Sequence, residues 1–428
     1  MTFGHNTHVV ERSHVGRVWP WPLRALLAAT AAAFFLWCAW GALRAGASRM
    51  VSDYAARAAL LAAADSAVSL APSDPEAYYT RANLLADSGR YADAAHAYEE
   101  ALSLRTRDYV IWVELGRARE ESGDTAGALQ AFRRAVELAP SYARPHWQLG
   151  NTLLRAGRAG ESIGELRAAA ASDPRLYPNF VQTLWQATGH DPRALVREAR
   201  PATPEQALAV VRLLVKEGQS AEGLRALRES GASLTAEARK TLVSDLITTG
   251  DFAGAYQVWS EGRGARGSFT DGGFEGELRA GEEGFGWRFA QGAQGVSLSQ
   301  DAADAREGAR SLKIEYAGNS DPSTPAVSQL VAVEPGAHYR MTFAARTKEL
   351  VTGGPPFVEV VSAGKSSASL ASTAPLPAST PGWQEFALDF TAPPEGAVRV
   401  TLRRKPCASS PCPAFGSLWL DAFALGRL

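Results

Sequence analysis

Residues able to do covalent or metal chemistry are few in this chain and poorly placed for it. Cys38 lies inside an apolar run, whereas Cys407 and Cys412 flank Ala-Ser-Ser-Pro near the C-terminus. The latter two are a disulfide candidate, with two unpaired thiols as the alternative. A zinc site would need two more thiolate or imidazole ligands, and the nearest histidine in sequence is His338. A structural disulfide closing so small a loop implies an oxidising compartment. No G-x-S-x-G elbow, Walker loop, H-E-x-x-H or paired Cys-x2-Cys occurs, and the histidines are scattered. His96 and His146 fall within helical repeats and read as ordinary residues of them. The Gly-rich stretch 281–295 lacks the strand-to-helix setting of a nucleotide fingerprint. Glu282-Glu283 would form a hydrolase pair only within a cleft, and the pattern predicts none there. The expectation is a protein that is not an enzyme and carries no cofactor.

At 428 residues the chain exceeds a single compact core. Its net charge of −1 and interspersed basic residues argue against a nucleic-acid partner, which demands a clustered basic face. The run Arg403-Arg404-Lys405 is short enough to be a solvated edge.

From Ala25 to Leu43 nineteen residues carry no charge, enough to span roughly 30 Å of hydrocarbon as a helix. Arg24 and Arg44 bound the run, and Trp19, Trp21, Trp37 and Trp40 cluster towards its ends, where indoles prefer the interface. We therefore expect residues 1–24 as a cytoplasmic tail and 25–43 as a single transmembrane helix. The rival reading is a cleaved signal peptide, since Ala45-Gly46-Ala47 has the form of a cleavage site. Arginines are balanced across the run, Arg12, Arg17 and Arg24 against Arg44, Arg49 and Arg57, so charge does not set orientation. The cysteine pair and the kind of C-terminal domain place the residues beyond the anchor outside the cytoplasm, in the periplasm or its equivalent.

A period of 34 residues dominates the next region. Gly89, Gly123 and Gly157 keep it, as do Ala67, Ala101, Ala135 and Ala169, and Tyr98, Phe132 and Leu166. Ala139-Pro140 and Asp173-Pro174 end second helices, because Pro cannot continue one. Small residues let paired helices approach, large ones fill the layer between hairpins, and Gly supplies the turn. Trp112, Leu115, Gly116, Ala128, Phe132, Ala135 and Pro140 fit the W-x2-L-G…A-x3-F-x2-A…P pattern of the tetratricopeptide repeat family, which the chain resembles, with Arg119 where that family usually has Tyr. The copy from Pro75 has Tyr78, Ala82, Ala94, Tyr98 and Ala101 in register. The copy from Ala143 has His146, Leu149, Gly150, Leu166, Ala169 and Pro174, with Ser162 replacing an Ala. Residues 51–72 read as the second helix of a partial repeat. Gly189, Gly218 and Gly250 continue the beat, so an all-α solenoid is expected over 51–262. The resemblance implies partner-protein binding along a concave face built from first helices, here Tyr79, Asn83, Val113, Arg117, Trp147, Asn151 and Arg155. Amides there would hold a peptide backbone and arginines carboxylates.

Around 262–273 the composition turns to Gly-rich turns and β-branched runs, which predicts an all-β sandwich over 268–428. Its phrases come in a recognisable order: Asp271-Gly272-Gly273-Phe274-Glu275, then Gly286-Trp287, the run 308–314, Gln329 to Arg340, Gly382 to Phe386, and Leu418 to Phe423. In that order they resemble the jelly-roll, galactose-binding-like carbohydrate-binding modules found beside xylanases and glucanases. Such modules often hold a structural calcium. The resemblance would assign it to Glu275 and Asp421, with backbone carbonyls near 308–310. Trp287 and Trp383 lie where those modules use aromatics for packing, so both are expected in the core. The Phe357 strand and the loop 403–415 are the places left for ligand contacts. The whole reads as a membrane-anchored scaffold of the cell envelope, serving surface polysaccharide assembly. The alternative is a glycan-recognising protein, or an accessory subunit of a glycan-processing enzyme, whose working part is the sandwich.

Overall fold

The structure, a computed structural model, describes residues 21–261, 267–278, 284–290, 295–364 and 367–428. An apolar N-terminal helix leads into a helical solenoid, and an all-β domain of two antiparallel sheets comes after it. Two compact units result, Met1–Leu176 and Tyr177–Leu428. Most of the expected tail, with Arg12, Arg17 and Trp19, lies outside the described residues, as do Gly262 and Glu282-Glu283.

Helix α1 (Trp21–Ala58) runs unbroken through the apolar stretch and through Ala45-Gly46-Ala47. Every residue from Trp21 to Arg44 is exposed, whereas Ser48, Ser52 and Ala55 are buried. The later turns are the first helix of a hairpin with α2 (Leu61–Leu70). Ser48 Oγ donates to the Ala67 carbonyl at 2.9 Å, and Arg44 Nε to the Leu70 carbonyl at 2.9 Å. The expectation of one second helix over 51–72 is thereby corrected. The chain breaks after Ala58, where Ala59 takes φ of 50°, and α2 alone is the second helix.

The next hairpins are α3 (Pro75–Asp87) with α4 (Tyr91–Leu104), α5 (Tyr109–Glu121) with α6 (Thr125–Leu138), and α7 (Ala143–Arg155) with α8 (Ala159–Ser172). Asp74, Asp108 and Asp124 cap α3, α5 and α6 by accepting from the amides of Glu76, Val110 and Gly127. Gly89, Gly123 and Gly157 turn each hairpin at φ of 75°, 90° and 76°, a conformation that favours glycine. The periodic Ala67, Ala101, Ala135 and Ala169 are fully buried. Both departures from the repeat pattern are accommodated. Arg119 Nη1 donates to the Gly127 carbonyl and Nη2 to Glu99. The Ser162 hydroxyl, buried between the helices, donates to the Gly150 carbonyl at 2.7 Å.

In the second unit the hairpins continue as α9 (Tyr177–Ala187) with α10 (Pro192–Ala199), α11 (Pro204–Lys216) with α12 (Ser220–Ser230), and α13 (Ala236–Thr249) with α14 (Phe252–Ser260). Gly189, Gly218 and Gly250 turn them at φ of 65°, 75° and 87°. The sandwich comprises β1 (Trp287–Phe289), β2 (Val296–Asp301), β3 (Ser311–Asn319), β4 (Val327–Ala332), β5 (His338–Thr352), β6 (Pro356–Ser362), β7 (Ser369–Ser372), β8 (Gln384–Thr391), β9 (Ala397–Arg404) and β10 (Pro413–Arg427). One sheet has the order β1-β4-β9-β6-β7 and the other β2-β3-β10-β5-β8. Leu312, Ile314, Met341, Phe343, Val400 and Leu418 fill the space between them. The outer side of the first sheet is apolar at one end, where Leu330, Ala332 and Ala397 join Phe285 in a cluster with Leu242 and Leu246 of α13 and Phe252, Ala255 and Tyr256 of α14. That cluster is why the last helices belong to the same compact unit as the sandwich.

A Cβ added at Gly116 would lie 2.5 Å from the ring of Phe132, whereas one at Gly164 in α8 meets nothing within 4 Å. Gly116→Ala is expected to destabilise the first unit by about 1–3 kcal/mol through overpacking. Gly164→Ala should stabilise it by up to about 1 kcal/mol through helix propensity. Urea unfolding followed by far-ultraviolet circular dichroism reads both signs.

Candidate functional site

The first helices α3, α5 and α7 bring most of the anticipated face together. Half-buried Tyr79 and Asn83 lie on α3, and Asn83 Oδ1 accepts from the Tyr98 hydroxyl of α4 at 2.6 Å. Burial raises the phenols of Tyr79 and Tyr98 above their ordinary value, so both stay neutral hydrogen-bonding groups. Exposed Arg117 on α5 pairs with Glu114 at 3.0 Å. From α7, Arg144 also pairs with Glu114, and Arg155 pairs with Glu120 at 2.6 Å. Half-buried Asn151 donates to the Trp147 carbonyl at 2.9 Å, leaving its own oxygen for other donors.

Val113 is the exception. It is fully buried and packs with Leu149 and Leu153 of α7, so it offers no surface to a partner. A compact β-branched side chain fills the gap between α5 and α7, whereas Tyr79 and Trp147, at the equivalent repeat position, are half-buried. Its neighbour Glu114 carries the electrostatics instead, and the sequence reading passed over it together with Glu120 and Arg144. Glu114 stands three residues before Arg117, the spacing of a helical ion pair, so charge patterning on the first helices could have found it.

In the sandwich, Cys407 and Cys412 form a disulfide with Cα atoms 5.5 Å apart, and Cys38 is a free, exposed thiol on α1. The disulfide loop lines a cavity of about 520 Å³ together with Tyr316, Asn319, Asp321 and Arg404. Buried Arg404 donates to the carbonyls of Gly354, Ser320 and Cys412 and to the Thr352 hydroxyl, tying these loops together. Burial pushes the Tyr316 phenol up to about 12. Trp287 is a core residue whose Nε1 donates to the Asp271 carbonyl at 2.9 Å, and half-buried Trp383 donates to Asp304 at 3.0 Å. Phe357 is buried beneath the ammonium of Lys405, 3.9 Å from its ring centre.

The structure brings Glu275 and Asp421 to one loop, where each meets backbone amides. Fully buried Asp421 accepts from the amides of Arg306 and Glu307 at 2.7 and 3.1 Å, and Glu275 from those of Ala309 and Arg310 at 2.7 and 3.1 Å. The amides meet one oxygen of each carboxylate, Asp421 Oδ2 and Glu275 Oε1, and a calcium ion would likewise take oxygen ligands. Among the described residues no group of three or more His, Cys, Asp or Glu is placed to hold a metal. The two acids clamp the loop by hydrogen bonding.

Comparison with known proteins agrees with the repeat geometry. Residues 75–108 match the tetratricopeptide repeat family model and residues 116–157 a TPR repeat model, so the chain contains tetratricopeptide repeats. A curated relative, the peroxisomal targeting signal receptor of Saccharomyces cerevisiae, is 28% identical over 97 residues, 23% of this chain and 16% of that protein. The chain thus spans about a sixth of the relative's length. Among solved structures, YrrB, described as a TPR protein with an unusual peptide-binding site, has 23% identity and a TM-score of 0.32, covering 41% of this chain and 90% of its own. A structure described as CBM4 structure and function has 15% identity and a TM-score of 0.28, covering 38% of this chain and 100% of its own.

Asp421→Asn keeps the shape but removes the charge that strengthens these bonds, and should cost about 1.5–3 kcal/mol. If the acids act by hydrogen bonding, a chelator will leave the melting temperature of the parent unchanged while this substitution lowers it. Calorimetric melting checks both.

Proposed function

We propose that this chain is a membrane-anchored, non-enzymatic scaffold of the cell envelope that holds a partner protein along the first-helix face of its repeats. The observation carrying this reading is the row of polar side chains on α3, α5 and α7, Asn83, Arg117, Asn151 and Arg155, displayed over a close-packed helical frame. Its ion pairs, Arg117 with Glu114 and Arg155 with Glu120, include exposed arginines. Such pairs contribute only about 0–1 kcal/mol, so an incoming carboxylate or peptide group can replace either partner at little cost. A relative named as a receptor for a targeting signal matches over part of the chain, which supports recognition of a polypeptide.

The anchor reading draws on α1. Among the described residues it is the one helix long and apolar enough to cross a membrane, and its apolar part is uncovered. Its continuation through Ala45-Gly46-Ala47 into packed turns favours an uncut anchor over a removed signal. The disulfide favours an oxidising compartment for the domains beyond it. Surface polysaccharide assembly is the process we assign to such a scaffold.

The full chain should remain with the membrane after an alkaline carbonate wash; release into the supernatant would sink the anchor. Cross-linking in intact cells followed by mass spectrometry should recover a defined envelope protein. Changing Arg117, Asn151 and Arg155 together to Ala should lower that recovery at least tenfold with an unchanged circular dichroism spectrum. Equal recovery would count against the face.

A further inference from the structure

Strand alternation places Arg399, Thr401 and Arg403 of β9 on the outer side of the β1-β4-β9-β6-β7 sheet. Register sets Arg288 of β1 beside Ser328 of β4, Ser328 beside Thr401, and Thr401 beside Glu359 of β6, while Arg399 lies beside Leu330. Strands β1 and β9 are two spacings apart, roughly 9–10 Å, a span that two arginine side chains bridge.

Three polar groups on this face are buried and have no hydrogen-bond partner: Arg288 Nε, Thr401 Oγ1 and Arg403 Nε. Thr401 is only 4% exposed. Neither Arg288 nor Arg399 has an anionic partner among the described residues. Glu359, on the same face, is taken by Arg403 at 3.4 Å. Leu330, beside Arg399, belongs to the apolar cluster with α13 and α14. Burial there, and then the charge of Arg288, pull the Arg399 guanidinium below its ordinary value. Two neighbouring cations short of water and without a counter-charge among the described residues are costly, and an anion between them removes the cost.

We propose that this face is a binding site for an oxyanion, the phosphoryl or carboxylate group of a ligand, held by Arg288 and Arg399 with the Thr401 hydroxyl as a third donor. Guanidinium forks match the paired oxygens of either group. An uncharged sugar would need an open aromatic surface, and Phe357, the aromatic of this face on β6, is covered by Lys405. The site concerns the sandwich alone and does not depend on the partner held by the repeats.

The test uses the full chain in detergent micelles. Inorganic phosphate and, separately, sodium glucuronate are titrated by calorimetry against sodium chloride at equal ionic strength. Saturable one-to-one binding of at least one of them is expected, and the anion that binds identifies the ligand as phosphorylated or carboxylated. Arg288→Gln and Arg399→Gln should each weaken it at least tenfold. Arg340→Gln, which removes a cation paired with Asp389 on the other sheet, should change it less than twofold. The proposal is overturned if neither anion binds beyond chloride, or if an Arg288→Gln/Arg399→Gln double variant with the parent's melting temperature binds as well as the parent.

Discussion

The solenoid depends on how closely two helices of a hairpin can approach. Gly116 lies under the ring of Phe132 and Gly150 under Leu166, and Ala101, Ala135 and Ala169 are sealed between neighbouring helices. At these places there is no room for a further methyl group, so one large and one small residue specify each other across the seam. The same approach brings Ser162 to the Gly150 carbonyl, which turns a departure from the repeat into a buried hydrogen bond. Once that spacing is fixed, the first helices stand side by side, and the polar groups of α3, α5 and α7 line one surface.

Helix α1 extends this logic beyond the repeats. Its last turns supply the first helix of a hairpin, pinned to α2 by Ser48 and Arg44, and its first turns carry Phe34, Phe35, Leu36 and Trp37 into the open. An apolar surface of that length is unfavourable in water and requires apolar cover. Because the helix is continuous, whatever covers the first half also fixes the direction of the second. The apolar helix and the first repeat hairpin are therefore mechanically one element.

The sequence made the repeat legible because its signals are local: a period, a turn glycine, a small residue at a fixed place. The same glycine beat predicted the hairpins of α9 to α14 although their other repeat residues have drifted. Face assignment was less legible. Val113 and Trp147 share a repeat position, yet the smaller side chain is swallowed between helices and the larger one is not, which is a matter of volume and not of register. In the sandwich, nearly every strand could be read from alternation. Strand β7 could not, since Ser369–Ser372 carries little β-branched character. Strands β5 and β10 run for 15 residues each, and their pairing continues past irregularities near Gly416 and Ala422. Calcium was inferred from the types of two residues. The direction of the amides around them is not written in residue type.

Arginines in the sandwich separate into two physical classes, and the separation bears on function. Arg404 is buried, but its donors meet carbonyls and hydroxyls from several loops, so its positive charge is solvated by the protein itself. Such a cation organises structure and has little left to offer a ligand. Arg288 and Arg399 have given up part of their water without receiving equivalent acceptors, and they repel each other. A fold tolerates that arrangement only if the rest of the domain is stable enough to bear it, and here a continuous apolar core from Leu330 and Ala332 to α13 and α14 reinforces the sheet beside them. Stability from that helix-on-sheet packing offsets the cost of charges on the neighbouring face that no described residue answers.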